Sequence, residues 1–340
     1  MIKVTKKPIN ATVAIMLSVF MACGCSQEET PSVAEAKPIR VNATIGDLGG
    51  QTRFTDYGID ATQSTSIYSG QYVWAWALYH ESQATYMTAW RLTASSQGTL
   101  SGSAKYYPDD GSVIDIVAVQ GHFSETLNEA AQTAFPTSGL THSVMDNQAS
   151  QANYASSDLL YARADNKKGS DNAVVTLPFK HYLSKLEITL ASPEGHYSKD
   201  DLKHATVEIM NVKKTVTISM NNGNAENEPT VTTTGTTGSI LLKDGTLGDA
   251  RGVVDETSTD YMEAVVPPQT IAEGLAFIKV TLTTRNNRVL NYQIPEGGLT
   301  LLKNQRYQYI LTLFESNITL SGATYQSGFD DNSITVSPEP

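Results

Sequence analysis

The residues best equipped for chemistry are few, and their spacing rules out most of it. Cys23 and Cys25 are the chain's two cysteines, separated by one glycine; two thiols that close cannot easily bridge each other, and no third exists for either. The six histidines, His80, His122, His142, His181, His196 and His204, are scattered, with no His-Glu-x-x-His and no Cys/His ligand spacing among them. His181, between Phe179 and Leu183 in strand-like sequence, reads as a packed residue. The paired carboxylates Asp109-Asp110, Asp200-Asp201 and Asp330-Asp331 lie in turn sequence. Calcium takes six or more oxygens and only Asp115 follows the first pair, so Pro108-Asp109-Asp110-Gly111 reads as a turn. There is also no Gly-x-Ser-x-Gly and no glycine-rich phosphate loop before a helix. No catalytic, cofactor or metal residues are assigned, and an enzyme is not expected. What remains is the thiol pair itself.

Residues 1–25 have a basic start (Lys3, Lys6, Lys7), an apolar middle from Ala11 to Ala22 and small residues before a cysteine, the pattern of a signal peptide. The apolar run is shorter than the roughly 20 residues of a membrane span. Phe-Met-Ala-Cys-Gly-Cys-Ser resembles a bacterial lipoprotein box, which implies that Cys25, after Gly24, receives the lipid; Cys23, after Ala22, is the alternative. Ser26-Gln27-Glu28-Glu29 is similar to the acidic signal that sends lipoproteins of some gram-negative anaerobes to the outer face of the outer membrane. Residues 26–38 form a flexible tether rich in Pro, Ala and Ser. The formal charge of −11 becomes −14 without the three leader lysines, a surface that repels phosphate backbones and argues against a nucleic-acid partner.

The elements that follow are strands. In Ile39-Arg40-Val41-Asn42-Ala43-Thr44-Ile45 the apolar residues Ile39, Val41, Ala43 and Ile45 alternate with polar ones, as on a half-buried strand. Tyr72–Tyr79 and Val113–Val119 are apolar on both faces, as in a sandwich core. Trp74 and Trp76 share one face of the former, where core packing is favoured over a sugar platform. Ser124–Phe135 has a cap and alanines at helical spacing and predicts a short helix; Thr141–Tyr154 reads as loop. In the second half, Leu186, Ile188 and Leu190 face one way and Lys185, Glu187 and Thr189 the other. Strands recur at 205–211, 215–220, 261–266, 276–283, 289–294 and 305–314, with turn clusters between, and Asn224–Gly238 reads as a long loop. Such spacing argues an all-β chain of antiparallel sandwiches with a few short helices. The expected division is 39–170 and 171–340. Ser333-Ile334-Thr335-Val336-Ser337 is a last alternating piece.

Several segments together resemble the fimbrillin family, the lipoprotein precursors of type V pili. They are the signal at Cys25, Thr52-Arg53, Tyr106-Tyr107-Pro108 leading into 113–119, Ser157-Asp158-Leu159-Leu160-Tyr161-Ala162, Leu177 with Phe179-Lys180-His181 and Ser184-Lys185-Leu186, Val265-Val266-Pro267-Pro268-Gln269-Thr270, and Tyr307 to Leu313. The resemblance implies two β-sandwich domains of transthyretin-like topology, an outer-membrane lipid anchor and assembly with other pilus subunits by strand exchange. It implies cleavage after an arginine, here Arg53 with Arg40 as alternative, and removal of the strand carrying Ile39, Val41, Ala43 and Ile45. Ile334 and Val336 are the candidate anchors of a donor strand. The tail is short, and Phe329 onward lacks an expected tryptophan, which leaves shaft, tip and accessory positions open. The competing reading is a monomeric surface lipoprotein that binds host or other glycans through Trp74, Trp76, Trp90, Tyr106 or Tyr107.

Overall fold

Period-two alternation becomes strand almost wherever it occurs. The computed structural model describes residues 36–45, 67–95, 98–220, 228–244, 254–255, 258–259 and 261–327. The first half gives β1 (Val41–Ile45), β2 (Tyr72–Tyr79), β3 (Thr85–Ala94), β4 (Leu100–Ser101), β5 (Ile114–Gln120), β6 (Leu140–Ser143), helix α1 (Gln151–Ser157), β7 (Leu160–Lys167) and β8 (Val175–His181). Seven of these strands form one sheet, ordered β1-β8-β7-β5-β2-β3-β4. Its ends meet where Asn42 of β1 bridges Thr99, so the sheet curls into a nearly closed barrel. Its inner face carries Val73, Ala75, Ala77, Ala118, Leu177 and Phe179. Trp76, Leu78, Val117 and Val119 point the other way, into the core shared with the second half. Burial on both faces is why β2 and β5 read as continuous apolar runs.

The second half adds β9 (Ser184–Ala191), helix α2 (Lys199–Lys203), β10 (Ala205–Ser219), β11 (Thr230–Leu241), β12 (Lys243–Asp244), β13 (Val254–Asp255) and β14 (Ser258–Thr259). It ends with β15 (Met262–Val266), β16 (Gln269–Ile271), β17 (Ala276–Leu282), β18 (Arg288–Gln293), β19 (Leu299–Leu301), β20 (Gln305–Leu313) and β21 (Ile318–Ser327). Two five-stranded sheets result, β11-β10-β17-β18 with β6 also on β10, and β12-β15-β9-β20-β21. Phe277 of β17 meets Tyr309 of β20 edge to face at 6.5 Å, which places these two sheets one against the other. Strand makes up 55% and helix 7% of the described residues, which settles the class as mostly β.

Four features depart from the sequence expectation. Pairing is not wholly antiparallel, since β1 runs parallel to β8 and β9 parallel to β20. Ser124–Phe135 is a chain of turns, because Asn128 Oδ1 accepts the amides of Ala130 (2.8 Å) and Ala131 (3.2 Å) and the Thr133 hydroxyl reaches back to the Asn128 carbonyl (3.1 Å). These side chains offer the backbone a local alternative to helix. The helix falls instead at Gln151–Ser157, capped by Ser150, starting inside the stretch Thr141–Tyr154 read as loop and running past its end. Asn224–Gly238, also read as loop, contains most of β11, a full strand on β10 that runs from Thr230 to Leu241. The halves also trade strands, for β8 pairs with β1 and β7 while β6 pairs with β10.

Candidate functional site

The β1 strand closes the barrel, and its surroundings are the most distinctive arrangement in the molecule. It lies along β8 with Val41 opposite Val175, Ala43 opposite Leu177 and Ile45 opposite Phe179. On its other flank the Ala43 amide donates to Gly98 O (2.9 Å) and the Ile39 amide to Lys105 O (2.7 Å). Gly98 has φ +74°, a conformation that glycine adopts without strain. Just ahead, the Tyr107 amide donates to Lys37 O (3.0 Å) and the Val175 amide to Arg40 O (2.8 Å). The strand is thus stitched on both edges, as a stave between two neighbours.

The alternation seen in the sequence does what a register key should. Ile39, Val41, Ala43 and Ile45 are 5%, 5%, 5% and 8% exposed and belong to the barrel core. Burying the three branched side chains is worth roughly 5–9 kcal/mol gross, at about 1.5–3 kcal/mol each, an upper bound. A whole domain is stable by only about 5–15 kcal/mol. The groove therefore cannot stand empty for free. The opposite side of β1 fits less well. Asn42 Oδ1 and Thr44 Oγ1 are buried and have no hydrogen-bond partner among the described residues.

Arg40 is exposed, and its guanidinium donates to Asn172 O (3.0 Å) and Oδ1 (3.2 Å). Asn172 sits in the left-handed region at φ 46°. Near this entry Tyr107 is buried, and burial raises its phenol above the usual range, with Asp171 adding to the effect and Arg40 opposing it. Because the Arg40 carbonyl is tied into the pairing, a protease would have to unzip the strand to reach that peptide bond. Arg53, Cys23, Cys25, Ile334 and Val336 lie outside the described residues.

The aromatic residues of the glycan reading are largely taken up by the core. Trp76 is fully buried, donates to Thr133 O (3.1 Å) and meets Phe135 edge to face at 6.1 Å. Trp90 and Tyr107 are buried as well, with Trp90 donating to Ser103 O (2.9 Å), and Trp74 is half-buried against the core. Tyr106 is exposed. Among the described residues no three His, Cys, Asp or Glu side chains are grouped to hold a metal.

Three polar clusters escaped sequence reasoning. Lys185 Nζ lies 3.0 Å from Glu187 and 2.9 Å from Glu263, with Lys243 2.9 Å from Glu263, and Lys185, Glu187 and Glu263 are buried. Burial tends to raise Asp115, but Gln83, the Asn166 amide, His80 and Arg163 outweigh it and hold the carboxyl low. His142, fully buried, accepts the His122 amide (2.9 Å) at Nδ1 and donates from Nε2 to Ser157 O (2.9 Å). Burial pushes its pKa down to about 4, so it is a neutral structural residue. The one available signal was charge alternation within β9, which says the two faces differ but not that the polar face is wet.

Comparison with known proteins finds relatives of the sequence and of the fold. The family model described as fimbrillin-like matches residues 43–326. A candidate fimbrium subunit, Fim1C, of Bacteroides uniformis is 24% identical over 318 residues, covering 92% of this chain and 93% of that one. Among solved structures, a candidate cell adhesion protein from Bacteroides uniformis superposes with TM-score 0.57 at 20% identity, covering 85% of this chain and 97% of that one. Another from Bacteroides ovatus gives 0.55 at 13% identity, covering 86% and 98%. These two share the fold.

Proposed function

The chain belongs to the fimbrillin-like family, and we propose that it is a structural or adhesive subunit of a cell-surface fimbrium, assembled by strand exchange at the β1 groove. The carrying observation is the stave itself: one short N-terminal strand, stitched on both edges, keys four apolar side chains into the barrel core. An extended partner strand with the same alternation can make the same ladder, backbone bonds giving affinity and side chains giving register. On this reading Cys25 is lipidated and the precursor reaches the outer surface as a lipoprotein. Cleavage at Arg53 frees the segment carrying β1, and a strand anchored like Ile334 and Val336 takes its place. This reading takes the chain as two sandwich domains of transthyretin-like topology dividing near residue 170; across that line β8 pairs with β1 and β7, and β6 with β10.

The similarity to Fim1C supports a fimbrial role, and the burial of Trp76, Trp90 and Tyr107 disfavours an aromatic glycan platform. Limited trypsin digestion of the purified precursor followed by non-denaturing sizing tests the reading. Loss of the segment up to Arg53 should yield ladders of polymers that dissociate in hot detergent, and replacing Ile334 and Val336 by charged residues should abolish them. A cut protein that stays monomeric at high concentration would sink the proposal.

A further inference from the structure

The two sides of β1 differ in how well they fit. The core side is filled by Ile39, Val41, Ala43 and Ile45. On the other side Asn42 and Thr44 stand opposite Thr176 and Pro178 of β8, and their side-chain oxygens are buried without a hydrogen-bond partner among the described residues. A buried polar atom that loses water and gains no partner destabilises the strand that carries it, whereas an apolar group of the same shape does not. We propose that the β1 groove is built for a strand supplied by a different subunit that is apolar on both faces at its centre, and that the resident strand is held as the poorer match. This rests on the strand-exchange reading above.

The chemistry of the better occupant follows position by position. It carries branched apolar residues where Ile39, Val41 and Ile45 sit, a small residue at Ala43, and branched apolar residues in place of Asn42 and Thr44. The chain's own Ser333-Ile334-Thr335-Val336-Ser337 does not meet that description, because Thr335 between the two anchors repeats the hydroxyl misfit. A tail of this sequence from a second copy is thus only an equal match to β1, enough to exchange with it at high protein concentration, while a strand with a continuous apolar run is a better one. The difference gives exchange a direction: the resident strand holds the barrel closed, and a better-matched strand displaces it.

The test has two arms. In the intact chain, Thr44→Val, an isosteric change, and Asn42→Val should each raise the thermal midpoint, as expected of about a tenfold gain in the folded-to-unfolded ratio per site. In protein cut at Arg53, a synthetic peptide of residues 36–45 with both valines should displace the resident strand about a hundredfold more effectively than the unchanged peptide. A peptide of residues 328–340 should do no better than the unchanged one. Substitutions that leave stability the same or lower it, or a tail peptide that outcompetes the valine peptide, overturn the proposal while leaving strand exchange intact. A strand that no peptide displaces from the cut protein overturns both.

Discussion

Among the described residues two strand pairs run parallel, and they differ in almost everything except their ladder. β1 and β8 run parallel over five residues at the seam of the barrel, while β9 and β20 run parallel over eight residues in the middle of a five-stranded sheet. β9 is flanked on its other side by β15 and β20 by β21. Charges interlock around the central pair: Lys185 bridges Glu187 and Glu263, and Gln308 of β20 donates to Glu187 at 2.7 Å. β1 has apolar keys on one side and, on the other, two oxygens without a hydrogen-bond partner among the described residues. Parallel pairing by itself therefore says nothing about permanence. A strand wired by buried charge cannot leave without stranding ions, whereas one held by alternating methyl groups and backbone bonds can be replaced by any strand of like pattern.

Substitutions can break or sharpen this contrast. The largest effect should come from Lys185→Ala, which leaves Glu187 and Glu263 buried beside a lost counter-charge; about 3–5 kcal/mol is expected from breaking a buried pair. Denaturant unfolding should show that loss equally before and after cleavage at Arg53. Next is acid sensitivity from His142 on β6. Its folded pKa of about 4 lies below the ordinary 6.5, so between those values the unfolded chain binds a proton that the folded one refuses. Stability is full above about 6.5 and falls by about 3 kcal/mol as pH drops towards 4. His142→Gln should flatten that slope between pH 7 and 4.5.

Ile45→Ala should cost about 2 kcal/mol in the intact chain. Unlike the Lys185 effect, it should vanish once the N-terminal strand has been exchanged for an unmodified peptide. Arg40→Ala should change the melting temperature least, by less than about 1 kcal/mol, because its bonds to Asn172 are exposed. An Arg40 effect as large as that of Ile45 would mean that the entry loop, not the apolar register, holds the strand.

Much of this was legible in the sequence, and the failures have physical causes. The β1 alternation was plain because one side meets a core and the other does not, and Tyr72–Tyr79 was read to the residue. Asn42 and Thr44 were legible as polar but not as lacking a partner among the described residues, since partners come from elsewhere in the chain. The loop reading of Asn224–Gly238 fails from Thr230 on because the glycines and threonines there carry no apolar period, yet threonine is a good strand former once β10 offers a ladder. Ser124–Phe135 had the right spacing for a helix but lost it to Asn128 and Thr133. That Lys185 and Glu187 are buried was not legible, because alternation separates two faces without saying what covers them.

The most direct measurement is strand replacement itself. Protein cleaved at Arg53 is mixed with an excess of isotope-labelled peptide of residues 36–45 and followed by native mass spectrometry, with near-ultraviolet circular dichroism reporting the buried Trp76. The account predicts that the labelled peptide replaces the resident fragment while the Trp76 signal is unchanged, because only the stave moves. A resident fragment that stays bound, or leaves only as the Trp76 signal collapses, would show that β1 is as permanent as β20.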